Sequence, residues 1–182
     1  MRVLVNIVAL FFICFCSAFY CADAAQVEDF ILLGKARSSD AASQRLWKFI
    51  LSETKLSERN AELHNIYEED CRAVFYDLDD DGLQEIIGTH YATGARRLGY
   101  NIMYILKKDS SGVYQNIAYR IFFAPNSPIF VLKSKTKGFH DLRCYNSKSE
   151  MDSVFVFSKN IEMYVDKIHQ KAAEKEFLER YF

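Results

Sequence analysis

The chain has 182 residues, a formal net charge of −1 and nearly equal numbers of basic and acidic side chains, 23 against 24. A length of this order fits one domain, and 15 Phe and 11 Tyr, with abundant Leu and Ile, can supply a core of ordinary size. The balance of charge leaves no basic excess of the kind nucleic-acid binding needs.

Met1 and Arg2 precede an apolar run from Val3 to Cys16, and the small residues Ala22, Ala24 and Ala25 follow. The run falls short of the ~20 apolar residues a spanning helix requires. A charged start, a short apolar stretch and an Ala-x-Ala exit form the order of a signal peptide. Residues 1–25 are therefore expected to be a leader cut after Ala24 or Ala25, and residues 26–182 a single α+β domain working in the periplasm or outside the cell. An uncleaved anchor is the competing reading. None of Cys14, Cys16 and Cys21 follows the small-residue pair that usually precedes a lipidated cysteine, and no second membrane segment follows Gln26.

Ser39-Asp40 offers an N-cap, and Leu46, Trp47, Phe49 and Ile50 place an apolar stripe on a helix running to about Thr54. A second short helix is expected after Ser57, where Leu63, Ile66 and Tyr67 recur at helical spacing. From Cys71 the pattern changes to short runs rich in Val, Ile, Phe and Tyr, bounded by Gly, Asn, Asp, Ser or Pro, which read as strands. They are Cys71 to Leu78, Glu85 to Tyr91, Tyr100 to Lys107, Val113 to Phe123, Ile129 to Lys133, Phe139 to Tyr145, Val154 to Phe157 and Ile161 to Val165. Connections as short as Ser158 to Asn160 cannot hold crossover helices, so the runs predict antiparallel pairing. The expected fold is α+β: N-terminal helices packed on an antiparallel β-meander of six to eight strands. The segment from Lys171 to Arg180 predicts a closing helix supported by Glu176 and Arg180 at i,i+4.

Beyond Gln26 two cysteines remain, Cys71 and Cys144, and an even pair in an exported chain predicts a disulfide. The alternative is two unpaired thiols, one of them catalytic.

One stretch carries chemistry. Asp77-Leu-Asp79-Asp80-Asp81-Gly82-Leu83-Gln84-Glu85 is the pattern Asp-x-Asp-x-Asp-Gly-x-x-Glu, a calcium-loop signature. Asp77, Asp79 and Asp81 are set to converge as the loop curls, Gly82 permits the sharp turn, Leu83 offers its carbonyl and Glu85 a further carboxylate. Such hard oxygen donors suit Ca²⁺. Without a cation, carboxylates this close would repel one another by about 1 kcal/mol or more per pair near a surface. It is not an EF-hand, because Gly88 stands where the bidentate Glu belongs and the flanks read as strands. The bland alternative is an acidic, solvated hairpin turn.

Strand, Asp-x-Asp-x-Asp-Gly-x-x-Glu, strand resembles the calcium loops of FG-GAP and integrin-type repeats and of small bacterial periplasmic proteins, over about residues 73–91. The resemblance implies a structural Ca²⁺ on Asp77, Asp79, Asp81 and Glu85, with Glu in place of the more usual Asp at the last position. The single copy departs from the repeated motif of a propeller. Lys135 to Leu142 also resembles a Gly-aromatic-x-Asp-Leu segment of exported bacterial proteins.

No zinc spacing, nucleophile elbow, Walker loop or dinucleotide glycine pattern is present. His140 and Asp141, as neighbours on a strand, point to opposite faces. Arg96 and Arg97, in a loop bounded by Gly94 and Gly99, are candidate partner contacts. The functional expectation is an exported binding domain that acts on an unidentified protein partner, as inhibitor and immunity proteins do. The alternatives are a small secreted hydrolase using Cys or His, or an accessory protein of an envelope assembly.

Overall fold

The computed structural model describes residues 27–63, 66–91, 101–124, 127–146 and 151–181. In chain order these form β1 (Val27–Ile31), α1 (Ala41–Thr54), α2 (Glu58–Leu63), β2 (Cys71–Tyr76), β3 (Glu85–His90), β4 (Asn101–Lys108), β5 (Tyr114–Asn116), β6 (Phe122–Phe123), β7 (Ile129–Thr136), β8 (Phe139–Asn146), β9 (Met151–Ser158), β10 (Met163–Asp166) and α3 (Gln170–Tyr181), with 3-10 turns at Leu33–Lys35 and Glu68–Asp70. All strand pairs are antiparallel. One sheet runs β1-β7-β8-β9-β10, and the other β2-β3-β4-β5, with β6 also on β4.

Strand alternation divides the interior into layers. On β3, Ile87 joins Met103 and Ile105 of β4 in a core shared with Ile129, Val131, Leu142 and Phe155 of the other sheet. Its neighbour Ile86 points the opposite way, with Cys71, Ala73 and Leu106, to Leu46, Trp47 and Ile50 of α1. All six residues of β3 are consequently buried. On β9, Phe155 faces the shared core, while Val156 turns outward with Val165 of β10 toward Phe177 of α3. The order of layers is thus α1, sheet, sheet, α3, with α3 over the β9–β10 side.

Two contacts fix how the outer layers sit. Gly88 lies under α1, and a Cβ there would stand 2.6 Å from the Ala73 Cβ, 2.7 Å from the Arg72 carbonyl oxygen and 2.7 Å from Leu46 Cδ2. Only glycine lets the helix come this close. Beside it, Ala73 on edge strand β2 donates its N–H to the buried Ser43 hydroxyl of α1 at 2.9 Å. Between the sheets, Tyr164 of β10 donates its N–H to the Ile117 carbonyl at 2.6 Å and accepts from Tyr119 at 3.0 Å.

Three expectations are corrected and one falls outside the described residues. Among the described residues the strands number ten and form two sheets, not one meander of six to eight. Val27–Ile31 adds one strand, and the run from 113 to 123 divides because the Asn116 side chain takes the Ile105 and Ala118 N–H groups, each at 3.1 Å. The N-terminal helices do not open the domain, since β1 precedes them, while the closing helix expected from Lys171 to Arg180 is present as α3. Cys71 and Cys144 form no disulfide. Cys71 is buried on the α1-facing side of one sheet and Cys144 in the core between the sheets, so different layers hold the two thiols. Arg96 and Arg97 lie outside the described residues.

Replacing Gly88 by Ala is expected to cost about 1–3 kcal/mol, read as a lower denaturation midpoint at unchanged m-value. Burial is the main cause that pushes both thiols up to about 12 from an ordinary value of 9.0. A folded-state pKa above the unfolded value gives stability that is full below pH 9 and lost as pH rises toward 12. Dithiothreitol is therefore expected to leave the melting temperature unchanged at pH 7. Pulse alkylation with peptide mapping should label Cys71 and Cys144 only on unfolding.

Candidate cation site

The segment between β2 and β3 turns sharply because two residues take left-handed backbone, Asp80 at φ +58° and Gly82 at φ +84°. Its own carboxylates hold the turn. Asp77 accepts the Gly82 N–H at 3.0 Å, Asp81 the Leu83 N–H at 2.7 Å, and Glu85 the Leu78 N–H at 2.9 Å. Leu78 is wholly buried in the core between the sheets, which anchors the loop from below.

Carboxylate oxygens of Asp77, Asp79 and Glu85 lie within 4.8 Å of one another. Lys107, near the end of β4, carries its ammonium into this group: Nζ is 2.6 Å from Asp79 Oδ2, 3.0 Å from Glu85 Oε1 and 3.3 Å from Asp81 Oδ2. The opposite sheet contributes the other cationic partner, for Lys135 of β7 pairs with Asp80. His140 of β8 donates its backbone N–H to the Leu78 carbonyl at 2.8 Å. Its ring gives Nδ1–H to the Leu132 carbonyl at 2.6 Å and turns Nε2 to within 3.5 Å of Asp80. The loop is therefore clasped by both sheets.

Glu85 is only 2% exposed, and desolvation raises its carboxyl above the ordinary value against the opposing pull of the Leu78 N–H and Lys107. Burial by itself would lower the Lys107 ammonium. Hydrogen bonds and charge from Asp79 and Glu85 outweigh that and hold it above the usual lysine value. Asp81 is drawn below its ordinary value, chiefly by the Leu83 N–H and also by Lys107.

Of the four carboxylates expected to ligate a metal, Asp77, Asp79 and Glu85 come together, while Asp81 lies outside the trio; the fifth residue, Leu83, is largely exposed. The donor set fits a hard cation on one further ground. Asp77 Oδ1 and Asp79 Oδ1 are buried without a hydrogen-bond partner, and Ca²⁺ would take such oxygens as ligands. Sequence reasoning missed Lys107. A signal was there, since antiparallel pairing sets Ile86 opposite Leu106 and so brings Glu85 and Lys107 next in line.

Comparison with protein-family models, curated proteins and solved structures found no match for this chain. Among the described residues no helix is long and apolar enough to cross a membrane.

Lys107→Met leaves a buried glutamate and Asp79 without their cation and is expected to cost about 2 kcal/mol, at the low end for a buried pair because Lys107 is partly exposed. The pH dependence has a definite sign. A raised lysine gives stability that is full below its ordinary value and lost as pH climbs through the folded value, so wild type loses this term only in the alkaline range. A raised Glu85 favours the protonated folded form, and removing Lys107 strengthens that preference. Melting curves between pH 5 and 8 should show the gap between wild type and Lys107→Met narrowing toward pH 5.

Proposed function

We propose that this chain is an exported domain of the periplasm or extracellular space that binds another protein, in the manner of inhibitor or immunity-type proteins, with a structural Ca²⁺ held by its 77–85 loop. The observation that carries the metal reading is the meeting of Asp77, Asp79 and Glu85 within 4.8 Å around two buried, unpartnered carboxylate oxygens. A divalent cation with hard-ligand preference would neutralise the group and engage those oxygens together. Lys107 holds Asp79 and Glu85 and competes with the metal, which argues for weak affinity, ~10⁻⁴ to 10⁻³ M as in extracellular modules. The export reading rests on the leader-like order of residues 1–25.

The protein-binding reading is supported by the surface next to the loop. Leu83 is 67% exposed and lines a hollow of about 350 Å³ with Phe75, Tyr114 and Arg45, residue types favoured at interfaces. Against the alternative of a secreted thiol hydrolase stand the burial of Cys71 and Cys144 and their rise to about 12. Nucleophilic thiolates occupy partly exposed, electropositive surroundings.

Thermal melts test the metal. CaCl₂ at about tenfold its dissociation constant should raise the melting temperature by ~3–6 °C over EDTA. Asp79→Asn should abolish the rise and Lys107→Met enlarge it; no calcium-dependent shift in either wild type or Lys107→Met refutes a calcium loop. For the partner, immobilised wild type and Leu83→Glu are compared on envelope extract. A protein identified on wild type and lost on Leu83→Glu supports the reading, and identical retention on both removes this surface from it.

A further inference from the structure

A second hollow lies beside the carboxylate trio, with Lys107 between them, where three turns meet: the β4–β5 turn, the β7–β8 turn and the β9–β10 turn. It measures about 740 Å³, within the range of small-molecule sites. Its floor is apolar. Phe139 and Phe157 stack there with centroids 4.1 Å apart, and each meets the buried Tyr164 ring edge-on, at 6.0 and 5.7 Å. Ile161 and Phe177 continue the same surface. Tyr164 is itself fixed, because its hydroxyl donates to the His140 carbonyl at 2.7 Å. Such a floor is preformed, so a ligand meets little ordering cost on entering.

The rim is positively charged. Lys107, Lys108, Lys137 and Lys159 line the hollow, against two acids among the described residues, Asp109 and Glu162. Lys107 lies over the Phe139 ring at 5.1 Å, but its ammonium is committed to the 77–85 carboxylates. Asp109 is committed to its own turn, accepting from Ser111, Val113 and Gln115. Lys137 and Lys159 are exposed and make no ion pair among the described residues. A flat apolar floor under two free ammonium groups selects one ligand chemistry: an apolar body carrying a negative head.

We infer that this cleft binds a small amphiphilic organic anion, an aromatic or aliphatic carboxylate or sulfonate whose body lies on Phe139 and Phe157 and whose head is held by Lys137 and Lys159. The neighbouring Lys108 reinforces the field while resting over Tyr114 at 5.3 Å. This site shares Lys107 with the acidic loop but does not depend on the calcium reading, and its test is run in EDTA so that the two stand or fall independently.

The probe is 8-anilinonaphthalene-1-sulfonate, titrated onto the full chain with near-UV circular dichroism confirming the native state. One saturable component with blue-shifted fluorescence is expected, displaced by dodecanoate. Lys137→Glu with Lys159→Glu should weaken that component by ~10-fold or more, as two reversed charges within a Debye length of the head require. The neutral pair Lys137→Gln with Lys159→Gln should fall between. Lys35→Glu with Lys48→Glu, on exposed positions near and on α1, carries the same change of net charge and should leave the component unchanged. The inference is overturned if native protein shows no saturable component, if the Lys137 and Lys159 variants bind like wild type, or if the Lys35 and Lys48 pair weakens binding equally.

Discussion

Five carboxylates within nine residues, Asp77, Asp79, Asp80, Asp81 and Glu85, cannot be folded against a protein interior unless cations meet them. Lys107 answers from the sheet that bears the loop and Lys135 from the sheet opposite. The requirement for charge neutrality thereby becomes a requirement on tertiary structure. Neither sheet alone satisfies the loop, and with Leu78 buried between the sheets the loop behaves as a clasp rather than as a surface turn. The backbone bond from His140 to Leu78 fixes the relative position that the ion pairs demand. Neutrality and core packing act at one end of the molecule in the same sense.

The other constraint is steric. A strand covered on both faces has no solvent side on which to place polar residues, and β3 accordingly buries Glu85, Thr89 and His90 along with Ile86 and Ile87. Each polar group then needs a partner: Lys107 and the Leu78 N–H for Glu85, the Ile102 carbonyl for the Thr89 hydroxyl, the Tyr67 carbonyl for the His90 ring. Gly88 serves the same crowding, since it removes a side chain where α1 presses closest. The sequence Glu-Ile-Ile-Gly-Thr-His is what a strand enclosed by a helix and a sheet needs.

Much of this was legible from the residues. Each of the eight apolar runs overlaps a strand, because periodicity and turn chemistry are local signals. Strand β1 was hidden, since only Ile31 of its five residues is buried and Glu28 and Asp29 are exposed; it is a strand because β7 offers it an edge. The cysteine inference failed for a reason of the same kind. An even count says nothing about which layer each thiol enters, and burial on α1-facing and inter-sheet positions keeps Cys71 and Cys144 in separate clusters. At the acidic loop, spacing was enough to bring Asp77, Asp79 and Glu85 to notice. Lys107 was not, because its role depends on register across β3 and β4 and not on any motif.

Lys107 also explains how an acidic loop and a basic cleft coexist so close together. Its ammonium stands over the Phe139 ring at 5.1 Å and is at the same time paired with Asp79 and Glu85. So placed, the ammonium cancels part of the carboxylates' field at the cleft. Attraction for an anion in the cleft must then come from lysines with no carboxylate partner among the described residues, which the chain places on the two turns farther along, at Lys137 and Lys159. A hairpin turn is a natural position for such a charge: it is solvated when nothing is bound, so it carries no desolvation cost in the folded protein, yet it stands above a floor that three packed aromatic rings hold rigid.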